Sequence, residues 1–421
     1  MAPNLRQQLS SLTVTDIDHE DQRIRCALLG CGMMGQEHIS YIMGYSRDIR
    51  IDFLCDPYEG SLQKAQTIMQ EFAAQGDPMT PSHTAPLLLQ DEQDLLKYAD
   101  AIDLLVIASP NYLHTPTLLK WGQHDLTILV EKPVAVSQKQ HDELLKASQQ
   151  WKARVWVAME YRYIPAIAKL LSLIPEIGDL KMVTIRENRY PFLHKIGKWN
   201  RDREKTGDTL VEKCCHFFDL FRLITGQEAV LPKVRALAQR GLNYQDEDSE
   251  YETPIIDSAY VTMPFRTNEG APDKQWSSTI GCLELCMFSE GSRHQEEIIV
   301  TGTKGRLEAY LPENKVYFFE RPCHEKWKDR SIPPPPESIR RHVFDCSNVR
   351  EVHSIDNEIP THGGYHYSST AIEWYHLLQE IKRYRETGEF QAHVSCLDGL
   401  RAVQMGIEAT AKLVNELEDE S

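Results

Sequence analysis

The hexapeptide Gly30-Cys31-Gly32-Met33-Met34-Gly35 constrains this chain more than any other feature. It closes a short apolar run, residues 23–30 (RIRCALLG), and opens a stretch with helical spacing. In that context a GxGxxG pattern is read as a dinucleotide-binding turn. The glycines allow a tight turn and close approach of backbone to a pyrophosphate, whose charge sits at the helix N-terminus. Further apolar runs follow at residues 51–56 (IDFLCD), 102–110 (IDLLVIASP), 126–133 (LTILVEKP) and 154–160 (RVWVAME), separated by helical segments such as 61–74 and 137–152. Apolar strands alternating with helices predict a doubly wound parallel sheet. Asp56 ends the second run, where a carboxylate accepts hydrogen bonds from ribose hydroxyls and repels a 2′-phosphate. That favours NAD, without excluding NADP; as a lone feature Asp56 also reads as an ordinary turn residue.

After residue 160 the pattern changes. A helix over 165–174 leads to a strand-like run at 181–190, a charged loop at 194–208, and the apolar helix LVEKCCHFFDLFRLITG at 210–226. Six strand-like runs then succeed one another between residues 233 and 321 without intervening helices, which predicts a large, mostly antiparallel open sheet. Residues 328–363, with prolines at 333–336, read as an irregular excursion, a lid or a subunit arm. Two closing helices are expected over about 368–385 and 395–417. The expected organisation is a flexible leader at 1–22, a dinucleotide-binding domain at 23–159, and a substrate and oligomerisation domain at 160–421 whose closing helices can pack back on the first.

Composition narrows the function. A formal net charge of −16 argues against a nucleic-acid-binding surface. No apolar run approaches the ~20 residues of a membrane helix, and the polar N-terminus lacks the apolar stretch of a signal peptide. The ten cysteines form no CxxC pair, which fits reduced thiols in a cytoplasmic protein and gives no metal site.

Two segments carry candidate chemistry. Glu131-Lys132-Pro133 lies at the C-terminal end of the fourth apolar run, where open α/β sheets hold their ligands. A lysine there can hydrogen-bond a substrate hydroxyl, although an isolated lysine is by default solvated. In the 210–226 helix, Glu212, His216 and Asp219 share one stripe at helical spacing. Histidine suits proton abstraction near neutral pH, and a carboxylate one turn away can orient it. The rival reading of His216 is a hydrogen-bonded core histidine. The rival reading of Glu212 is a capping box with Thr209 as N-cap, the helix ending at Gly226.

GCGMMGQEH, ASPNYLHTP, EKP, EYRYIP and the histidine helix occur in a fixed order. Together they resemble the glucose–fructose oxidoreductase, inositol dehydrogenase and rhizopine-catabolism family (Gfo/Idh/MocA). The resemblance implies a Rossmann domain, NAD, and a sugar, inositol or related polyol oxidised at a secondary alcohol. It also implies homodimers or homotetramers built through the open sheet. Carried across, the family's catalytic set falls on Lys132, Glu212 and His216. Ser109, Pro110, Asn111, His114 and Glu131 fall near the cofactor, and Arg162, Tyr163 and Lys213 near the substrate. A late segment, His362-Gly363-Gly364-Tyr365-His366, resembles a loop near the family's cleft. The chain departs from the pattern at Asp208, where the family has glycine, at Glu212, where it has aspartate, and at Cys214-Cys215. Arg162 also reads as an interface ion pair, Tyr163 as a packed aromatic, His114 as a helix-start surface residue, and Lys213 as solvated or paired. Two alternatives to a dehydrogenase stay open: an NAD-retaining glycosidase or isomerase with no net redox change, and a non-catalytic NAD-binding regulator.

Overall fold

The computed structural model describes residues 21–75, 85–241, 255–266, 279–323, 325–355 and 368–418. Most of the expected leader, the end of the 328–363 excursion and the His362–His366 segment lie outside the described residues. Asp21 and Gln22 belong to the folded body, where the Asp21 carboxylate pairs with Arg23 at 2.5 Å and Arg50 at 3.0 Å.

Six parallel strands, β1 (Ile24–Leu29), β2 (Ile49–Cys55), β3 (Leu87–Leu89), β4 (Leu104–Ile107), β5 (Thr127–Glu131) and β6 (Arg154–Ala158), form one sheet in the order 3-2-1-4-5-6. β4 and β5 are buried throughout, as strands must be when helices cover both faces. The longer helices are α1 (Met33–Gly44), α2 (Glu59–Gln75), α3 (Asn111–Trp121) and α4 (Gln138–Ala147), and a single short turn of helix covers Glu92–Leu96. This is the Rossmann order, and its ligand crevice opens at the C-terminal ends of β1 and β4.

The second sheet has nine strands: β7 (Leu180–Asn188), β8 (Glu228–Ala229), β9 (Arg235–Arg240), β10 (Ile256–Arg266), β11 (Thr279–Cys286), β12 (Glu296–Gly302), β13 (Gly305–Leu311), β14 (Lys315–Glu320) and β15 (Arg340–Asp345). All its pairings are antiparallel except β7 with β11. Alternation sends Val183, Ile185, Leu283, Leu285, Ile298 and Val300 inward. They pack against helices α5 (Pro165–Leu173) and α7 (Cys215–Thr225). The other face leaves Met182, Tyr260 and Ile280 about half exposed, at 52%, 56% and 51%. The excursion is not wholly irregular, because β15 extends the sheet edge through main-chain pairing with β14.

The closing helices α8 (Ser369–Thr387) and α9 (Cys396–Glu418) tie the sheets together. Ile372, Trp374, Leu377 and Leu378 of α8 share a core with Ile39 and Ile42 of α1 and Leu28 of β1. At Gly406 of α9 a Cβ would strike the Leu210 carbonyl oxygen, so the helix approaches the segment before α7 more closely than any side chain allows.

Candidate active site

The three glycines of the turn do different work. Gly30 has φ of +98°, and a Cβ there would lie 2.5 Å from the Ala108 carbonyl carbon at the end of β4. A Cβ on Gly35 would collide with the Gly30 carbonyl oxygen. At Gly32 nothing lies within 4 Å, so this position holds open a space that a ligand backbone can fill. Cys31 and Met33 separate the glycines. The Cys31 thiol is buried, while Met33 is exposed.

Asp56 follows β2 and accepts the Cys31 N–H through one carboxylate oxygen and the Tyr58 N–H through the other, both at 2.8 Å. These bonds fix the carboxylate beside the turn. Across the crevice, Pro110 precedes the first turn of α3, and two buried polar atoms, Ser109 Oγ and Asn111 Nδ2, have no hydrogen-bond partner among the described residues. Buried polar atoms are nearly always bonded. An open glycine cradle, a fixed carboxylate and two unsatisfied atoms at one strand-end crevice fit a dinucleotide.

His114 does not lie at the surface, as one reading of the sequence had it. It is fully buried, with one ring nitrogen 2.8 Å from the Ser109 carbonyl and the other 2.8 Å from the Pro133 carbonyl. It therefore joins the strand end beside the cofactor crevice to the turn carrying Lys132. Glu131 is likewise internal. His38 Nε2 lies 2.9 Å from its Oε1, and Trp374 Nε1 donates to His38 Nδ1 at 3.1 Å, which leaves the proton of a neutral His38 on Nε2. Burial opposes ionisation of Glu131, but the His38 bond and the Lys132 charge outweigh it and hold the carboxyl below its ordinary range.

Lys132 projects from the end of β5 to the Glu212 carbonyl oxygen at 3.1 Å and the Glu212 carboxylate at 3.5 Å. Burial acts to lower its pKa, yet Glu212 and neighbouring acidic groups raise it well above the usual lysine value. Glu212 shows the converse: burial is outweighed by Lys132, Lys195, Arg189 and Lys213, and its carboxyl is shifted down. Both groups are ionised at neutral pH.

The expected stripe of Glu212, His216 and Asp219 does not form. Residues 209–212 make a separate short helix, α6 (Thr209–Glu212), and α7 starts at Cys215. The Cys214 N–H bonds to the Thr209 carbonyl five residues back, a widened turn that breaks helical register. The capping box fails as well. Asp208, at φ of 73°, caps α6 by accepting the Thr209 N–H, and the Thr209 hydroxyl is taken by the Ile256 carbonyl. Gly226 ends α7 in the left-handed conformation at φ of 62°.

The carboxylate beside His216 is Glu160, with Oε1 3.4 Å from Nε2. The imidazole also stacks on Tyr161, with centroids 4.6 Å apart and planes at 13°. Asp219 is committed to Arg162, whose guanidinium it binds at 2.5 and 2.6 Å while a third nitrogen donates to the His393 carbonyl. Arg162 thus sits in an ion pair, as one reading of its sequence position had it, though a largely buried one and not at the surface. Tyr163 packs against His376 and His393, which also touch each other, and its hydroxyl lies 3.1 Å from His393 Nδ1. Lys213 is buried and paired, 2.6 Å from the Tyr161 hydroxyl and 3.2 Å from Glu187. Sequence reasoning missed Glu160, although a carboxylate two residues past a parallel strand's C-terminal end is a recognisable signal.

The sequence signature described as "Oxidoreductase family, NAD-binding Rossmann fold" matches residues 24–159, and "Oxidoreductase family, C-terminal alpha/beta domain" matches residues 172–415. A 2,7-anhydro-N-acetylneuraminate hydratase of Mediterraneibacter gnavus is 23% identical over 309 residues, 72% of this chain and 74% of that protein. An inositol 2-dehydrogenase of Pseudarthrobacter chlorophenolicus is 27% identical over 218 residues, 51% of this chain and 58% of that one. Levoglucosan dehydrogenase, solved in complex with NADH and levoglucosan, shares the fold at a TM-score of 0.68 with 16% identity, over 94% of this chain and 98% of that one. With both domain signatures matched and the crevice built for a dinucleotide, the chain belongs to the Gfo/Idh/MocA oxidoreductase family and is one of its NAD-binding members.

Proposed function

We propose that the protein is a dehydrogenase that reversibly oxidises a secondary alcohol of a sugar, inositol or related polyol. The observation that carries this reading is a charged, part-buried lysine just after β5 together with a histidine held by a carboxylate just after the neighbouring β6, both at the C-terminal end of the Rossmann sheet. Bound NAD supplies the hydride acceptor, C4 of its nicotinamide. Lys132 donates a hydrogen bond to the substrate hydroxyl oxygen and stabilises the negative charge that develops there. His216 takes the hydroxyl proton as the carbinol carbon gives up its hydrogen with the bonding pair. Glu160 holds the imidazole and favours its charged form after transfer, while Glu212 holds Lys132. Homo-oligomers form through the half-exposed outer face of the nine-stranded sheet, where Met182 and Ile280 pair across neighbouring strands.

The test is absorbance at the NADH wavelength across a panel of inositols, aldoses, sugar acids and glycosides, with NAD and NADP in parallel. Net NADH formation on any of these supports the reading; its absence across the panel, despite NAD binding, overturns it. The similarity to a hydratase favours one second reading, in which the hydride is removed and returned on the same substrate with no net NADH.

A further inference from the structure

Two adjacent residues of α8 reach toward the ends of the two strands that carry the candidate chemistry. Trp374 Nε1 donates to His38 Nδ1 at 3.1 Å, and His38 Nε2 lies 2.9 Å from Glu131 Oε1. The other oxygen of Glu131 accepts the main-chain N–H of Lys132 at 3.2 Å. Lys132 Nζ in turn lies 3.1 Å from the Glu212 carbonyl oxygen. Glu373 accepts the indole N–H of Trp156 at 3.1 Å, which ties the same turn of α8 to β6, the strand that leads to Glu160. His38, Trp156, Glu373 and Trp374 are all buried.

An indole N–H can only donate, so His38 Nδ1 accepts and the ring proton sits on Nε2, facing the carboxylate. The chain of bonds therefore runs one way, from indole to imidazole to carboxylate, with the lysine's own main chain on the far side of that carboxylate. His38 also lies on α1, the helix that the glycine turn opens, so the chain joins cofactor crevice, lysine turn and closing helix. A brace that only filled space would be served as well by apolar side chains, because a buried carboxylate carries a large desolvation cost. What the polar chain adds is direction, in hydrogen bonds that lock the turn from which Lys132 projects.

We propose that Trp374 and His38 are positioning residues, acting through Glu131 to hold the Lys132 ammonium where the substrate oxygen meets it. Neither exchanges a proton with the substrate. The proposal rests on the alcohol-oxidation reading for the step that Lys132 serves, where a misplacement of about 1 Å can cost about 10²-fold in rate.

The experiment compares full-length wild type with His38→Leu, His38→Gln and Trp374→Phe, each saturated with NAD. Leucine removes both bonds of the imidazole, whereas a glutamine amide offers one donor to Glu131 and one acceptor to Trp374. The kinetic arm uses the sugar or polyol that the NADH panel identifies. In His38→Leu kcat should fall about tenfold to a hundredfold with substrate KM within about twofold, and His38→Gln should recover most of the loss. Trp374→Phe, which keeps an aromatic ring in the same space, should fall between them. The second arm is crystallographic and needs no substrate. Lys132 Nζ should leave the Glu212 carbonyl oxygen in His38→Leu and stay near 3.1 Å from it in His38→Gln. A His38→Leu protein with wild-type kcat, a His38→Gln protein no better than His38→Leu, or a lysine unmoved in His38→Leu each overturns the proposal. Should His38→Leu fail to fold, Trp374→Phe decides alone, and unchanged kcat with an unmoved lysine overturns it. If no sugar yields NADH, the dehydrogenase reading fails by itself and the position of Lys132 in the crystals still decides this one.

Discussion

Nε2 of His216 lies 3.4 Å from Oε1 of Glu160, on the turn that follows β6, while the carboxylate of Glu212 faces Lys132 instead. The two acids thus have separate tasks. Glu160 acts through the histidine and Glu212 through the lysine, and substitutions should tell them apart.

Glu160→Gln keeps the shape of the side chain and removes its charge. Turnover should fall about tenfold to a hundredfold, with KM little changed and the pH–rate profile altered on the limb that reports the base. His216→Ala should lose about 10²–10⁴-fold with NAD binding retained. A pH profile for Glu160→Gln that overlays the wild type would remove Glu160 from this role.

The glycine turn separates fold from ligand. Gly30→Ala must place a methyl 2.5 Å from the Ala108 carbonyl carbon at a positive φ, so its melting temperature should drop by several degrees, corresponding to about 1–3 kcal/mol. Gly32→Val meets open space within 4 Å. It should melt with the wild type and yet bind NAD at least about tenfold more weakly. Thermal melts with and without NAD check both. A Gly32→Val protein that binds NAD normally would move the pyrophosphate away from this turn.

How much of this was legible in the sequence follows from the range of the forces involved. Local signals carried the glycine turn, Asp56 and the apolar parallel strands, because backbone sterics and double-sided burial act within a few residues. β3 was missed because it is only three residues long, Leu87–Leu89, at the sheet edge. β15 was missed because exposed edge residues such as Arg340, Arg341 and His342 show no apolar alternation. The pairing of Lys132 with Glu212 was legible as a meeting of motifs but not as an ion pair. Helical spacing assigned Glu212 to His216, and one widened turn at Cys214 was enough to redirect it. Glu160 could not be matched to His216 from spacing at all, since their meeting depends on how α7 packs against the end of β6.

Glu296 is the group whose titration should be visible in stability. Burial and the neighbouring Glu187 raise its pKa to about 8, against the opposing influence of Lys213 and Tyr161. Its folded value exceeds its unfolded one. The contribution is therefore fully present below about pH 4.5 and is lost as pH rises through about 8, with a limiting slope near 1.4 kcal/mol per pH unit. Glu296→Gln retains a hydrogen-bonding oxygen for the Tyr161 hydroxyl, which donates to Oε1 at 2.8 Å. Relative to wild type the variant should gain stability between pH 5 and 8. Denaturant melts at both pH values check this, and a wild-type-minus-variant difference that is flat with pH would refute it.

The Lys132–Glu212 pair gives the last prediction. The folded pKa of Lys132 is raised and that of Glu212 lowered, burial opposing both shifts and the opposite charges producing them. The lysine's contribution is present below its unfolded value and is lost only in strong alkali. The glutamate's is present above its unfolded value and is lost as the solution is acidified, so the pair stabilises the fold across the neutral range. Lys132→Met leaves Glu212 buried with Lys195, Arg189 and Lys213 as remaining cations, and should destabilise by about 1–3 kcal/mol, less than for an isolated buried charge. Removing the acid as well, in Lys132→Met/Glu212→Gln, should recover part of that loss through a coupling of about 0.5–3 kcal/mol. Activity should not recover, because the donor to the substrate oxygen is gone in both proteins. A double variant no more stable than the single one would show that the 3.5 Å pair is incidental. A double variant that regained turnover would take Lys132 out of the reaction.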